Sequence, residues 1–277
     1  MLALGSAIGY GVSDFIGGIA ARRVAALRVV VVSYPLAMVL LGGLSVVVGG
    51  TVSTPAVVWG LLCGVSQAFG VWWFYAALGA GPISVVSPLT AVLVAAVPVS
   101  VGLAVGERPG VLAGIGTVLA LIAVVLVSRE ATDEDVHPHR FTAKVAWLTV
   151  GSGLAFGLNF VLIHQAPVEA HLWPLFFARM SATTVVLLVA LVSGNLHAPR
   201  GVPLALAVLA ALLDTGANVA MLLALQASML SLASVLMSMY PAATVLLAIV
   251  VLRERVTRWQ VLGMVMALLA VGMIALR

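Results

Sequence analysis

Three charged side chains stand well inside long apolar stretches of this chain of 277 residues: Asp14, Arg179 and Asp214. At the centre of a bilayer each costs several kcal/mol, about 2.5–3.5 kcal/mol even on the mildest scale, so such groups turn to one another or to a wet cavity. Two chemistries follow from their types: a buried ion pair that ties two helices together, or contact with a polar solute or a proton. Counted at about 1.5 Å per residue, Asp214 stands near mid-span and roughly 7 Å deeper than Arg179, within reach of an arginine side chain. Arg179–Asp214 is therefore the expected pair. Asp14 lies toward the opposite face with no evident cation at its depth. Because hydrocarbon holds a lone carboxyl group better neutral than charged, Asp14 is the candidate for proton coupling.

The elements that carry these groups follow from composition. Hydrophobic residues make up 63% of the chain and charged residues 8%, against about a quarter charged in soluble domains. Too little polar side chain remains to cover a water-facing surface. Lipid cannot satisfy a free backbone group, so only helices or a closed barrel can span. Apolar runs of about twenty residues have the helical spanning length, whereas barrel strands would be short and alternating. Ten spans fit: 2–21, 29–49, 56–78, 83–105 and 111–127, then 145–165, 172–193, 202–225, 232–252 and 259–276. Gly79-Ala80-Gly81-Pro82 reads as a tight turn between the third and fourth. The N-terminus lacks the basic start and cleavage pattern of a removable signal peptide, so the first run reads as a retained helix. Cys63 lies inside a run and reads as a small packing residue.

The halves repeat. A shift of about 147 residues brings Glu107-Arg108 onto Glu254-Arg255, Ser84 onto Ser231, Ser87 onto Ser234 and Gly116 onto Gly263. One residue less aligns Gly5-Ser6 and Gly11 with Gly151-Ser152 and Gly157. The predicted organisation is a five-helix repeat over 1–128, a polar linker over 129–144 and a second five-helix repeat over 145–277. An odd number of spans per repeat inverts the second against the first. The fold class is thus all-α integral membrane, ten transmembrane helices as two inverted five-helix repeats, a build that recurs in secondary transporters with the site near the midplane.

That symmetry enlarges the list of candidates. Gln67 occupies the position equivalent to Asp214, and Asn159 matches Ser13. Tyr10 and Asp14 share a helix face at i, i+4, as do Asp214 and Asn218. Trp72, Trp73 and Tyr75 read as an interfacial aromatic belt, with Tyr75, nearest the polar turn, as the cavity member. The substrate-cavity candidates are Tyr10, Asp14, Gln67, Tyr75, Asn159, Arg179, Asp214 and Asn218. Glycine pairs at four-residue spacing, Gly5/Gly9, Gly60/Gly64, Gly102/Gly106, Gly110/Gly114 and Gly153/Gly157, predict close helix packing.

Several short motifs in order carry a family resemblance: Leu78-Gly79-Ala80-Gly81-Pro82-Ile83-Ser84, Gly106-Glu107-Arg108, Tyr240-Pro241 and Leu252-Arg253-Glu254-Arg255. With them the whole chain resembles the ten-span EamA-type members of the drug/metabolite transporter superfamily. Arg179 resembles an arginine the family often places early in the seventh span; the matching position of the second span holds Ser33, and the first half has Pro88 and Pro98 but no match for Pro241. The resemblance implies a central cavity, alternating access without ATP, and export of a small metabolite or drug-like solute across the cell (plasma or inner) membrane. Its members carry amino acids, nucleosides, drugs and other metabolites.

Rival functions have weaker support in the residues. Asp214-Thr215-Gly216 spells the tripeptide of aspartic proteases, and Asp14 could supply a second carboxylate. The tripeptide falls mid-helix, however, and the matching position holds Gln67. A phosphate-binding glycine loop is absent and Lys144 is the only lysine, which excludes a P-loop pump. His137-Pro138-His139 in the acidic linker reads as solvated, not metal-binding. No clustered basic face suits nucleic acid. The chain is expected to have no catalytic residue, metal or cofactor, its partners being a small solute, the bilayer and, through Asp14, protons. The alternative is a passive channel or a structural membrane subunit. Loops after odd-numbered spans hold Arg22, Arg23, Arg28, Arg129, Arg140, Lys144, Arg200, Arg253, Arg255 and Arg258, against Arg108 and Arg277 on the other side. The positive-inside rule places the termini outside the cytoplasm; the resemblance places them inside.

Overall fold

The computed structural model describes residues 1–21, 23–80, 83–127, 142–252 and 257–275. Their regular structure is helical: α1 Leu2–Ala21, α2 Ala26–Val48, α3 Thr54–Ala80, α4 Ile83–Ala104, α5 Val111–Val127, α6 Ala143–His164, α7 Trp173–Val192, α8 Val202–Ala227, α9 Leu230–Met237, α10 Tyr240–Leu252 and α11 Arg258–Ala275, with a short 3-10 turn at Val168–Ala170. Every predicted span holds helix. By length and composition α1, α2, α3, α6, α7 and α8 qualify as membrane-crossing helices, while the apolar stretches in α4, α5 and α11 are shorter. The chain is an all-helical, multi-pass membrane protein.

One span departs from expectation. The ninth, predicted as one helix, is divided into α9 and α10 immediately before Tyr240-Pro241. Proline has no N–H to give the carbonyl four residues earlier, so a helix cannot continue through it unbroken. Ser238 closes the break by donating from its hydroxyl to the Val235 carbonyl at 2.9 Å and from its backbone to Ser234 at 2.8 Å. The Gly81-Pro82 turn, linker residues 129–141 with His137 and His139, and Arg253-Glu254-Arg255 lie outside the described residues.

Two compact units emerge, each drawing on both halves of the sequence. The first comprises Met1–Ala68 and Leu162–Gln226. Within it α2 packs along α7, and α1 runs antiparallel to α8 along a polar seam. Ser6 donates to the Ala217 carbonyl and Ser13 to the Ala210 carbonyl, both at 2.9 Å. Seven residues separate the donors and seven the acceptors, so the two helices keep one register through two turns. Gly9 permits the approach, since a Cβ there would stand 2.9 Å from that of Ala217. Gly60 and Gly64 do the same for α3 against α7: a Cβ at Gly60 would meet the Pro174 carbonyl oxygen at 2.6 Å, and one at Gly64 would overlap the Ala178 carbonyl.

The second unit comprises Phe69–Val161 and Ala227–Arg277. Its core sets Ala113, Ala120, Ala123 and Val124 of α5 against Ala267, Ala270 and Ile274 of α11, with Leu232 and Val235 of α9 on the same cluster. Small side chains let helices approach where no water is displaced. Gly153 and Gly157 rest on Leu93 and Val97 of α4. The other predicted pairs are not close contacts throughout: a Cβ at Gly5, Gly110 or Gly114 would meet nothing within 4 Å.

Candidate substrate-binding site

Arg179 enters the first unit on α7, whose first turn carries Pro174 at a position where a missing N–H is no loss. Its side chain is 2% exposed. From there Nη2 donates to Asp214 Oδ2 of α8 at 2.6 Å, so the pair expected from depth alone is present. The guanidinium also stands over the Tyr34 ring of α2, 4.8 Å from its centroid. Such a contact stabilises a cation further where water is excluded. Tyr34 was not among the sequence candidates; its signal was an aromatic residue beside Pro35 in an otherwise aliphatic span.

Around this pair the α1–α8 register gathers more of the candidates. It sets Tyr10 level with Asp214 and Asp14 one turn along. The Tyr10 hydroxyl donates to Met221 Sδ at 3.3 Å. Asp14, expected to have no cation at its depth, lies on α1 in the same unit as the second carboxylate, Asp214. Asp14 is exposed, Asp214 is 25% exposed and Arg179 is closed off. Asn218 donates to the backbone carbonyl of Asp214 at 2.7 Å, one turn back on α8.

The remaining candidates are placed less centrally. Gln67 is half-buried on α3 in the same unit. Asn159 is buried on α6 in the second unit. Tyr75 lies on α3 in that unit, and its side chain is outside the described residues. Trp73, from the expected aromatic belt, covers Gly151, while Trp72 is exposed. The protease-like tripeptide is unbroken helix: Thr215 donates back to the Ala211 carbonyl at 2.7 Å, and Asp214 is held by a cation.

A second polar arrangement escaped the sequence reading, which used Glu107 as a marker of the repeat and of the family resemblance and gave it no structural role. In the second unit α4 ends at Ala104, and Gly106 takes φ +100°, a left-handed conformation suited to glycine. The Glu107 N–H then returns to the Gly102 carbonyl at 2.9 Å, the bond of a Schellman turn. Thus turned, the Glu107 carboxylate accepts from the backbone N–H groups of Leu230 at 2.5 Å and Ser231 at 2.9 Å, and from the Ser231 hydroxyl. It caps the free donors that open α9.

Comparisons with known proteins agree with the fold. The model described as the EamA-like transporter family matches residues 1–129 and 143–276. Among solved structures, one crystal structure of a protein is similar with a TM-score of 0.72 over 98% of each chain at 16% identity, a likeness that concerns the fold alone. No curated protein gives a significant match.

Proposed function

The chain belongs to the EamA-like transporter family, and on that premise we propose that it is a secondary transporter exporting a small metabolite or drug-like solute across the plasma or inner membrane by alternating access. The proposal includes ten crossings in two inverted repeats, with α9 and α10 as the two pieces of the ninth. One observation supports it above others: the buried Arg179 is held by the partly open Asp214, and the same unit carries the exposed Asp14. A lipid-facing carboxylate in a spanning helix is costly, so the face bearing Asp14 is best assigned to water. A polar solute on that face meets two carboxylates and, behind them, a guanidinium. Tyr10, Gln67 and Asn218 complete the proposed set of cavity residues in the first unit, Tyr75 and Asn159 are separately proposed for the second, and Asp14 is the proposed proton-coupling group.

Counterflow tests this. Purified protein in proteoliposomes, loaded with a panel of unlabelled metabolites, is expected to accumulate the matching labelled solute transiently and saturably. Proton movement accompanying that flux is expected to disappear in Asp14→Asn. Flux that rises without saturation marks a channel, and no flux for any solute marks a structural subunit; either outcome sinks the carrier. Intact counterflow without proton movement keeps the carrier and removes the coupling role of Asp14.

A further inference from the structure

Among the described residues, Thr117, Thr149, Thr184 and Thr215 spend their hydroxyl on their own helix, each donating to the carbonyl four residues earlier at 2.7–2.9 Å. Thr183 does not. Its side chain is 4% exposed, and its Oγ1 has no hydrogen-bond partner among the described residues. One turn earlier on α7 the same is true of Arg179 Nη1, although Nη2 of that guanidinium is bonded to Asp214. Residues four apart share a helix face. Thr183 and Arg179 therefore stand on one side of α7. Buried donors are nearly always satisfied, and leaving one without an acceptor is costly.

Charge decides what kind of acceptor suits them. Asp214 already neutralises Arg179, and α1 carries a further carboxylate, Asp14, in the same unit. With all three ionised the cluster carries one net negative charge. A carboxylate placed against Nη1 would crowd a third anion into a poorly screened region, whereas a neutral carbonyl or hydroxyl would not. The surplus negative charge suits an ammonium.

Resting on the transport reading above, we infer that this site selects organic cations that carry a neutral hydrogen-bond acceptor a few bonds from the ammonium, the cation docking on Asp14 and Asp214 and the acceptor on Arg179 Nη1 and the Thr183 hydroxyl. An amine without the acceptor leaves the two donors unmet. A zwitterion supplies an acceptor with the wrong charge.

The test compares three head groups on common side chains: isopentylamine, leucinamide and leucine, and phenethylamine, phenylalaninamide and phenylalanine. Binding is read as thermal stabilisation of the full chain in lipid nanodiscs over a concentration series. The carboxamide is expected to act at concentrations about tenfold lower than the amine, the size of one hydrogen bond to a charged group, and lower than the free amino acid. Thr183→Val, nearly the same shape without the donor, is expected to narrow the gap between carboxamide and amine. Arg179→Lys, which keeps the charge and removes Nη1, is expected to narrow it as well. Equal response to all head groups, as when an internal water serves the two donors, overturns the inference. So do tightest binding by the amino acids, an unchanged carboxamide preference in Thr183→Val, or no response across the panel. Counterflow measured in parallel separates the two levels: saturable exchange of some solute without the head-group preference removes only this inference, and no exchange of any solute removes the transport reading itself.

Discussion

Arg179 and Asp214 share one ion pair unequally: at 2.6 Å separation the guanidinium is 2% exposed and the carboxylate 25%. Closing both groups off would strengthen their attraction but add the cost of taking the second charge out of water. The asymmetry leaves the carboxylate available from one side while the cation is fixed by Tyr34 and Asp214 behind it.

Asp214→Asn keeps the shape and removes the charge that compensates Arg179. Stranding a buried charge costs about 3 kcal/mol, so a marked fall in unfolding temperature is expected in detergent or nanodiscs. The double variant Arg179→Met, Asp214→Leu removes both charges, and such replacements are often neutral for stability. It should therefore regain much of the loss without regaining counterflow. Recovery of transport with stability would show that the pair serves only to join the helices.

The pair and the bundle were legible in the sequence for the same reason: hydrocarbon restricts what a charge or a backbone can do. Asp14, Arg179 and Asp214 stood out as charges within apolar runs, and helical rise alone brought two of them together. What connects helices laterally was not legible. Ser6 and Ser13 are ordinary residues until the α1–α8 register pairs them with carbonyls. The capping role of Glu107 depends on a partner more than a hundred residues away. Small-residue spacing was equally ambiguous, since Gly60/Gly64 and Gly110/Gly114 look alike in sequence and only the first pair bears on a neighbouring helix.

That difference is testable within one unit. Gly64→Ala forces a methyl group onto the Ala178 carbonyl and the Ser181 hydroxyl, and overpacking of this kind costs about 1–3 kcal/mol. Gly43, on α2, has nothing within 4 Å of the added Cβ. There alanine is expected to leave stability unchanged or to raise it by about 0.5 kcal/mol through helix preference. Thermal unfolding of the two variants side by side decides it, and equal behaviour would mean that α3 and α7 do not approach at Gly64 as closely as described.

Glu107 supplies the last prediction, because one carboxylate serves three donors at the start of α9. The short α9 has eight residues and so depends more on its ends than a long helix does, since its first four N–H groups have no partner within the helix. Glu107→Ala removes the acceptor and is expected to cost about 1–2 kcal/mol, the range for loss of a helix cap. Amide hydrogen exchange at Leu230 and Ser231 should then quicken about tenfold relative to that of α7. Glu107→Gln keeps one carbonyl acceptor and loses the charge that complements the helix N-terminus, so its exchange should fall between the two. Unchanged exchange at Leu230 and Ser231 in Glu107→Ala would mean that α9 is held by its packing on α4 and α5 alone, and the Gly106-Glu107 turn would lose its role as the cap that fixes where α9 begins.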